Sequence, residues 1–371
     1  MIILFLAVSL VMLLYGMLII SFHKGWKRIP EYTAHPPSGQ TRISVVIAVR
    51  NEENHLPALL ECLERQSLHH DLFNVVIVDD HSEDDTWELA KSFSREKTWV
   101  QVLRLERYQG KKYAVRKGVE HSSNDLVVTI DGDCLPGRNW LMTLLSFWED
   151  YRPALICGPV IFPNSHNIAG QWVDMEFVSL VTAGAGAVGY GAPVMCNAAN
   201  MAFPRHIYSS YASLLNTRIA SGDDVFFMLH LKKTPENRIL FLKSQAAVVQ
   251  TEPPRCFRDF IHQRMRWTSK SLHYRDKDVI ITGSVVWSTN LLLLLILLLS
   301  LINSKYILIF LLLFLIKCII DFILLNNSLI YFNKKNLRKL LPLFQFVYIF
   351  YITIMPVLSF PGRFRWKGRN N

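Results

Sequence analysis

The chain has 371 residues, of which 51% are hydrophobic, and a formal net charge of +10. Its length allows one sizeable soluble domain with additional elements, and its apolar share exceeds the globular average, so we expect part of it in lipid. The charge does not indicate nucleic-acid binding, because no acidic residue follows Asp321 and the last eight basic residues flank apolar segments. Six cysteines without CxxC spacing predict neither a zinc site nor a disulfide framework.

The N-terminal stretch predicts a membrane anchor. Residues 1–22 carry no charged side chain and are long enough to cross a bilayer. No basic segment precedes them and no small-residue cleavage site follows, which favours an anchor over a signal peptide. Lys24, Lys27 and Arg28 come next, and the positive-inside rule then places the following segment in the cytoplasm. The proline-containing residues 23–41 are expected to be a linker.

From residue 42 the pattern alternates between strand and helix. The strand-like runs are ISVVIAV (43–49), NVVIVDD (74–80), WVQVLRL (99–105) and DLVVTIDGD (125–133). Continuous apolar runs that alternate with helical stretches predict an α/β domain over residues 42–252, with a mostly parallel, doubly wound sheet. The glycine- and alanine-rich residues 182–193 are expected to be flexible.

Polar residues follow three of these strands. They are Arg50, Asn51 and Glu52, then Asp79 and Asp80, then Asp131 and Asp133. Because ligands of such sheets bind beyond the carboxyl ends of the strands, the sequence predicts one ligand site on a shared rim.

The sequence TIDGDC (129–134) predicts a divalent cation site. Asp131 and Asp133 repel each other unless they share a positive partner, and hard cations such as Mg²⁺ or Mn²⁺ prefer carboxylate oxygens. Such an ion keeps several waters and is completed by substrate phosphates, which points to a nucleotide diphosphate. The alternative is a turn or a helix cap made by the same two residues.

Two nearby features could bind the rest of a nucleotide. Asp79 and Asp80 precede the predicted cap of the next helix, where a carboxylate can accept from a nucleobase or ribose. Lys111 could meet the phosphates, although an exposed lysine is often only a solvated charge.

A second acidic pair lies in SGDDVFF (221–227). We expect Asp224 to act as a general base on an acceptor hydroxyl, with Asp223 orienting the acceptor or supporting the base. The alternative is that this pair only caps the apolar helix that follows.

The segment 253–275 resembles an amphipathic stretch at a membrane surface. It contains FIHQRMRWTSK, in which Gln263, Arg266 and Trp267 take adjacent helical positions. Arg266 can neutralise a leaving diphosphate, and Trp267 offers a flat face to a sugar ring. An interfacial tryptophan with a snorkelling arginine is the simpler alternative.

Three further apolar runs, near 285–302, 306–325 and 340–360, predict three membrane segments within 285–360, followed by a basic tail at 361–371. Lys317 and Asp321 are four residues apart within the third of the four predicted spans and are expected to pair, as a structural ion pair or as a polar notch for an amphiphilic acceptor. Three full spans would place the tail outside, against the charge rule, unless Pro342, Pro356 or Pro361 breaks the last segment.

Taken in order, VVIAVRNEE, VIVDDHSEDDT, TIDGDC, SGDDVFF and QRMRW resemble the membrane-bound inverting family 2 glycosyltransferases of GT-A fold, which include cellulose and hyaluronan synthases and ceramide glucosyltransferase. The resemblance covers about residues 42–270. It departs from the family at Ala48, where proline is usual, and at Asp223, where glutamate is usual.

The resemblance implies a nucleotide-sugar donor, usually a UDP-sugar, and Mg²⁺ or Mn²⁺. It implies roles for Asp223 and Asp224 in catalysis, for Asp131 and Asp133 in metal binding, for Gln263, Arg266 and Trp267 at the acceptor and diphosphate, and for Ala48, Arg50, Glu52, Asp79, Asp80, Lys111 and Asp131 in donor binding. We expect transfer to a membrane lipid or a lipid-linked acceptor. The alternatives are a processive polysaccharide synthase and a non-catalytic nucleotide-sugar-binding subunit. A multi-pass protein of the bacterial inner membrane with a cytoplasmic catalytic domain is expected.

Overall fold

The computed structural model describes residues 2–212, 223–359, 365–366 and 369–370. The chain divides into two compact units. The sheet unit comprises residues 29–163 and 195–252, and the helical unit comprises residues 1–28, 164–194 and 253–371.

The sheet unit contains ten strands in its described part. These are β1 (Ile43–Val49), β2 (Phe73–Asp79), β3 (Val100–Arg104), β4 (Leu126–Asp131), β5 (Cys134–Pro136), β6 (Leu155–Cys157), β7 (Val160–Ile161), β8 (Met201–Pro204), β9 (Ile239–Phe241) and β10 (Val249–Thr251). Seven form one sheet in the order β3-β2-β1-β4-β8-β6-β9, and three form a second sheet in the order β5-β10-β7.

Helices connect and cover these strands. They are α2 (Leu56–Glu64), α3 (Thr86–Ser94), α4 (Lys111–Glu120), α5 (Trp140–Tyr151), α7 (Arg205–Ala212) and α8 (Asp223–Leu231). The strands β1, β2 and β4 pair in parallel and are buried along almost their whole length, as strands covered on both faces must be. The predicted α/β class with a mostly parallel sheet is confirmed.

One strand of the large sheet was not predicted from the sequence. Among the described strands of the large sheet, β8 alone runs antiparallel to its neighbours, β4 and β6. It has only four residues and ends at Pro204, so it shows neither the length nor the alternation that marks a strand. Its insertion brings residues 198–200 beside β4.

The helical unit contains six helices in its described part. These are α1 (Ile2–Arg28), α6 (Ile168–Tyr190), α9 (Phe257–Thr268), α10 (Lys277–Ile302), α11 (Lys305–Tyr331) and α12 (Leu341–Ser359). Four regions of the described chain, Leu6–Arg28, Lys277–Ile302, Lys305–Tyr331 and Lys335–Ser359, are long and apolar enough to cross a membrane. They match the four predicted spans.

The expectation that residues 182–193 are flexible is wrong, because most of them belong to the helix α6. It continues unbroken through this segment to Tyr190. A Cβ atom built on Gly25 of α1 would lie 1.8 Å from the carbonyl oxygen of Gly186, and one built on Gly186 would lie 2.3 Å from the carbonyl oxygen of Phe22. The small residues therefore allow two helix backbones to touch, and this close packing, rather than flexibility, explains the composition.

Several predicted boundaries shift in the structure. The helix α1 runs to Arg28, six residues beyond the expected end of the anchor, because Lys24, Lys27 and Arg28 continue its last turns. The helix α12 passes through Pro356 without ending, so the chain does not break there. The predicted basic tail, residues 361–371, lies largely outside the described residues, within which β11 (Arg365–Trp366) pairs with β12 (Arg369–Asn370).

Candidate active site

The strand register of the sheet unit brings the predicted rim residues to one edge. In the parallel ladders Val49 lies opposite Asp79, and Ala48 lies opposite Asp131. The ends of β2 and β4 therefore flank the end of β1, one on each side. With neighbouring strands about 4.8 Å apart, Asp79 and Asp131 belong to strands roughly 10 Å apart.

Side-chain alternation then separates the acidic residues by face. Ala48, Val78 and Asp131 are paired across three strands and share one face of the sheet. The helix α4 covers this face, because its Ala114 packs with Val78 and Ala48. Asp79 directly follows Val78 on β2, so its side chain points to the opposite face of the sheet.

The start of α4 gathers three acidic groups through three consecutive residues. The Gly110 N–H donates to Asp80 Oδ2 at 3.0 Å. The Lys111 ammonium donates to Asp131 Oδ1, and the Lys112 ammonium interacts electrostatically with Asp223. Residues 110–112 thus connect the end of β2, the end of β4 and the start of α8, and we call this arrangement the α4 junction.

The sequence singled out Lys111, and Lys112 was missed. Lys112 is only 4% exposed. Burial lowers the pKa of the Lys112 ammonium, and the nearby Asp223 carboxylate opposes this shift. The available signal was the doubled lysine at the first turn of a helix, where the macrodipole and two cations together favour an anion.

Asp223 also faces a buried aromatic surface. Burial, and after it the charge of Asp223, raises the pKa of both Tyr208 and Tyr211. The two tyrosines lie on α7, and their rings pack on Phe227 of α8. Asp223 therefore interacts electrostatically with the Lys112 ammonium and with both tyrosines.

Asp224 is tied to the strand that carries the first metal-binding candidate. Its Oδ2 accepts from the Ala198 N–H at 3.3 Å, and its Oδ1 accepts from the Val225 N–H at 2.8 Å. The Ala198 carbonyl in turn accepts from Thr129 Oγ1 at 2.6 Å. Thr129 is two residues before Asp131 on β4 and shares its face. Two hydrogen bonds thus connect Asp224 to the β4 end.

The segment Asp131–Gly132–Asp133, called the DxD segment below, is tightly packed. A Cβ atom on Gly132 would lie 3.0 Å from Glu52 Cγ, so the middle residue has little room for a side chain. Burial, followed by the charges of Asp131 and Asp133, raises the pKa of the Cys134 thiol well above its usual range. Cys134 therefore stays a neutral thiol beneath the two carboxylates.

Two predicted donor-binding residues, Asp79 and Arg50, hold a loop in place. Asp79 is fully buried, accepts from the Ser82 N–H at 3.2 Å and pairs with Arg104 at 3.0 Å. Arg50 donates to the Asp80 and His81 carbonyls at 2.9 and 2.6 Å. These contacts shape the loop that presents Asp80.

Glu52 also acts within this loop region. It is 5% exposed, its N–H donates to Thr86 Oγ1 at 2.7 Å, and its Oε2 lies 3.0 Å from His55 Nδ1. Together with its contact to Gly132, this places Glu52 between the first turn of α2 and the DxD segment. Ala48 is partly buried against Val76 and Val78.

The QxxRW residues, Gln263, Arg266 and Trp267, belong to α9 of the helical unit. Gln263 Oε1 accepts from the Arg264 guanidinium. That guanidinium lies over the Trp267 ring at 4.2 Å from its centroid and over the Phe260 ring at 4.6 Å. Arg266 is partly exposed. Two of the three predicted residues are thus held by Arg264, which the sequence analysis did not select.

Arg264 is anchored by an acid that was also missed. Its Nε donates to Glu176 Oε1 at 3.0 Å and its Nη2 donates to Glu176 Oε2, with both side chains 2% exposed. Tyr351 of α12 donates to the same Glu176 Oε1 at 3.1 Å. The signal available in the sequence was an acidic residue within an otherwise apolar helix, which needs a partner when buried.

Two other buried ion pairs hold the helical unit. Lys334 Nζ lies 3.1 Å from Asp174 Oδ2. Lys317 pairs with Asp321 at 2.7 Å, and Gln345 and Tyr15 bond to this pair. The predicted Lys317–Asp321 pair is confirmed. Because Gln345 and Tyr15 also bond to it, the arrangement favours a structural ion pair over a polar notch for an acceptor.

The donor set at the rim fits a hard cation that arrives with a substrate. No group of three or more His, Cys, Asp or Glu side chains among the described residues could hold a metal ion. Asp131 is one-third exposed and already carries a cationic partner, Lys111, and Asp133 is partly exposed. One or two carboxylates completed by phosphate oxygens is the arrangement that Mg²⁺ usually adopts.

Part of the sheet unit matches a known protein family. The family model described as glycosyl transferase family 2 matches residues 44–208, which include nearly all of β1, the whole of β2, β4 and β8, and residues 110–112 at the start of α4. Residues 44–208, somewhat less than half of the chain, are therefore similar to family 2 glycosyl transferases. The suspected resemblance is confirmed for this part of the chain.

Curated relatives match the domain in part. Glycosyltransferase AglE of Haloferax volcanii is 31% identical over 132 residues, which are 35% of this chain and 43% of the relative. Undecaprenyl-phosphate 4-deoxy-4-formamido-L-arabinose transferase of Pseudomonas aeruginosa is 41% identical over 93 residues, 24% of this chain and 27% of the relative. The matches therefore span less than half of the length of these relatives.

A solved structure matches the chain over nearly its full length. The structure is the mannosyltransferase PcManGT from Pyrobaculum calidifontis in complex with GDP-Man and Mn²⁺. The match spans 96% of this chain and 97% of the PcManGT chain. The identity is 15% and the TM-score is 0.58. The fold of this chain is thus of the GT-A type with added apolar helices.

Proposed function

We propose that the chain is an inverting glycosyltransferase that moves a sugar from a nucleotide-sugar donor to a membrane lipid or lipid-linked acceptor. The α4 junction carries this proposal. It connects Asp80, Asp131 and Asp223 through residues 110–112. A subunit that only binds a nucleotide sugar without catalysis has no need to keep all these groups around the start of one helix.

The donor diphosphate would lie at the start of α4. Backbone N–H groups, the helix dipole, Lys111 and Lys112 all favour an anion there. Asp80 would accept from the nucleoside at the same edge. A UDP-sugar is our expectation, and GDP-mannose is the second donor to test, since PcManGT was solved with GDP-Man.

Asp131 and Asp133 would hold Mg²⁺ or Mn²⁺ against the diphosphate. When bound, the ion supplies positive charge that stabilises the departing diphosphate. Lys111 contributes charge to the same group and must turn from Asp131 toward phosphate. Arg266 of α9 is proposed as a further cation for the diphosphate, with Gln263 and Trp267 at the acceptor.

The chemical step would proceed with inversion. The acceptor oxygen forms a bond to the anomeric carbon as the bond to the diphosphate oxygen breaks, and the electron pair leaves with the diphosphate. Asp224 takes the proton of a hydroxyl acceptor. Asp223, held by Lys112, would orient the acceptor or support the base.

A lipid acceptor is favoured by the apolar helices and by the relatives. Four described regions can cross a bilayer, and one relative is named for undecaprenyl phosphate. A phosphate acceptor is itself an anion near neutral pH, since the second pKa of a phosphate monoester is about 6. Dependence on Asp224 therefore distinguishes the acceptor classes, because a phosphate oxygen needs a base far less than a hydroxyl does.

We propose a multi-pass protein of the bacterial inner membrane with its sheet unit in the cytoplasm. The cations Lys24, Lys27 and Arg28 at the end of α1 support this orientation.

The experiment is release of nucleoside diphosphate by the purified full-length protein. UDP-sugars and GDP-mannose are each supplied with Mn²⁺ and with undecaprenyl phosphate, a hydroxyl-bearing glycolipid, or no acceptor. We expect one donor to be consumed at least tenfold faster with a lipid acceptor than without, and EDTA to abolish the reaction until Mn²⁺ is restored.

Thin-layer chromatography of the labelled product then separates the alternatives. A single lipid-mobile product supports the proposal, and a glycosyl phosphate is distinguished from a glycoside by its release in mild acid. A polymer retained at the origin would identify a processive synthase. Binding of a nucleotide sugar with no turnover of any donor tested would identify a non-catalytic subunit.

A further inference from the structure

A basic cavity lies where α11 turns into α12, and none of its lining residues takes part in the proposed reaction. The chain there forms a 3-10 helix, Lys335–Leu340. The adjoining cavity has a volume of about 420 Å³. Its lining residues are Phe322, Lys335, Asn336, Arg338 and Lys339.

The charges that line this cavity are all positive. Lys335, Arg338 and Lys339 contribute three cations, and no acidic side chain is among the lining residues. Lys335 and Lys339 are exposed, so their ammonium groups are accessible from outside the protein. The lining thus selects for an anion.

The third cation is fixed in place. Arg338 donates from Nε to the Lys335 carbonyl at 2.9 Å and from Nη1 to Asn326 Oδ1 on α11 at 3.0 Å. Neither acceptor is charged, so both contacts orient the guanidinium without neutralising it. The cavity is therefore lined by one preorganised positive charge and two exposed ones.

The remaining wall is apolar and belongs to a membrane-length helix. Phe322 is 42% exposed and lies one turn before Asn326 on α11. Since α11 is long and apolar enough to span a bilayer and ends at Tyr331, the 3-10 helix after it lies at headgroup depth when α11 spans. A phosphate held there would have its acyl or prenyl chain alongside Phe322.

We propose that this cavity binds the phosphate of a membrane lipid, with Lys335, Arg338 and Lys339 holding the phosphate and Phe322 contacting the first methylenes of its chain. Basic pockets beside membrane helices bind anionic headgroups in this way. The apolar wall favours a lipid-borne phosphate over a free one. This inference does not depend on the proposed glycosyl transfer.

The test measures lipid binding by the full-length protein in a neutral detergent. Native mass spectrometry follows titration with phosphatidylglycerol, undecaprenyl phosphate or phosphatidylcholine. Each lysine near an anionic surface is worth about fivefold in affinity. The Lys335→Gln/Lys339→Gln protein is therefore expected to bind the anionic lipids about 25-fold more weakly, without change for phosphatidylcholine.

The control removes two other exposed lysines at membrane-helix ends, as Lys277→Gln/Lys305→Gln, and is expected to bind like the wild type. Phe322→Ala should weaken lipid binding, and millimolar inorganic phosphate or glycerol phosphate should fail to displace the lipid. Equal losses in the two double variants would overturn the site. Displacement by free phosphate at the affinity of the lipid would overturn its lipid origin.

Discussion

The Asp224→Asn protein is expected to lose about 10³-fold in kcat toward a hydroxyl acceptor, with little change in the KM of the donor. General bases typically contribute 10²- to 10⁴-fold, and the amide cannot take a proton. The substitution keeps the shape of a side chain whose two oxygens accept from the Ala198 and Val225 N–H groups. Donor hydrolysis in the absence of an acceptor should fall similarly, because attacking water must also lose a proton.

The matched control is Asp71→Asn, since Asp71 is 83% exposed on the surface of the same unit. Its donor hydrolysis and thermal unfolding should equal those of the wild type. Wild-type hydrolysis by Asp224→Asn would refute its role as base. With a lipid-phosphate acceptor the loss should shrink as the pH rises above about 6, where the phosphate itself is fully charged.

The second large effect is expected from Glu176→Gln in the helical unit. The change removes the carboxylate that pairs with the Arg264 guanidinium, which is 2% exposed. Breaking a buried pair on one side costs roughly 3–5 kcal/mol. In a protein of this size the midpoint of thermal unfolding should fall by roughly 5 °C. The exposed Glu236→Gln serves as the control and should unfold like the wild type.

A double variant separates stability from positioning. Replacing both charges, as Glu176→Leu/Arg264→Met, should restore much of the stability, because no buried charge is left unpaired. Transfer should remain impaired, since Arg264 no longer stacks on Trp267 or bonds to Gln263. Full recovery of both stability and transfer would show that Arg264 does not position these side chains.

The rim of the site could be predicted because it follows from topology. Apolar runs that end in aspartates specify parallel strands whose carboxyl ends meet, and the pairing of Ala48 with Asp131 is the direct consequence. Strand alternation could also have separated Asp79 from Asp80, since consecutive residues face opposite sides of a sheet.

Other features depend on contacts between distant segments. The sequence around Lys112 does not predict its electrostatic interaction with Asp223, which lies more than one hundred residues later. The composition of residues 182–193 suggested mobility, and the close approach of Gly25 to Gly186 reversed that conclusion. The short antiparallel β8 and the Glu176–Arg264 pair were missed for the same reason, because tertiary packing and not local pattern creates them.

The central claim is that the α4 junction receives a diphosphate and a divalent cation at one edge of the sheet. The most direct measurement is the anomalous scattering of Mn²⁺ in crystals grown with UDP or with GDP. The account predicts a manganese peak within coordination distance of Asp133 and a diphosphate oxygen, with Lys111 bonded to phosphate. A nucleotide bound away from residues 110–112, or manganese bound without Asp131 and Asp133, would contradict it.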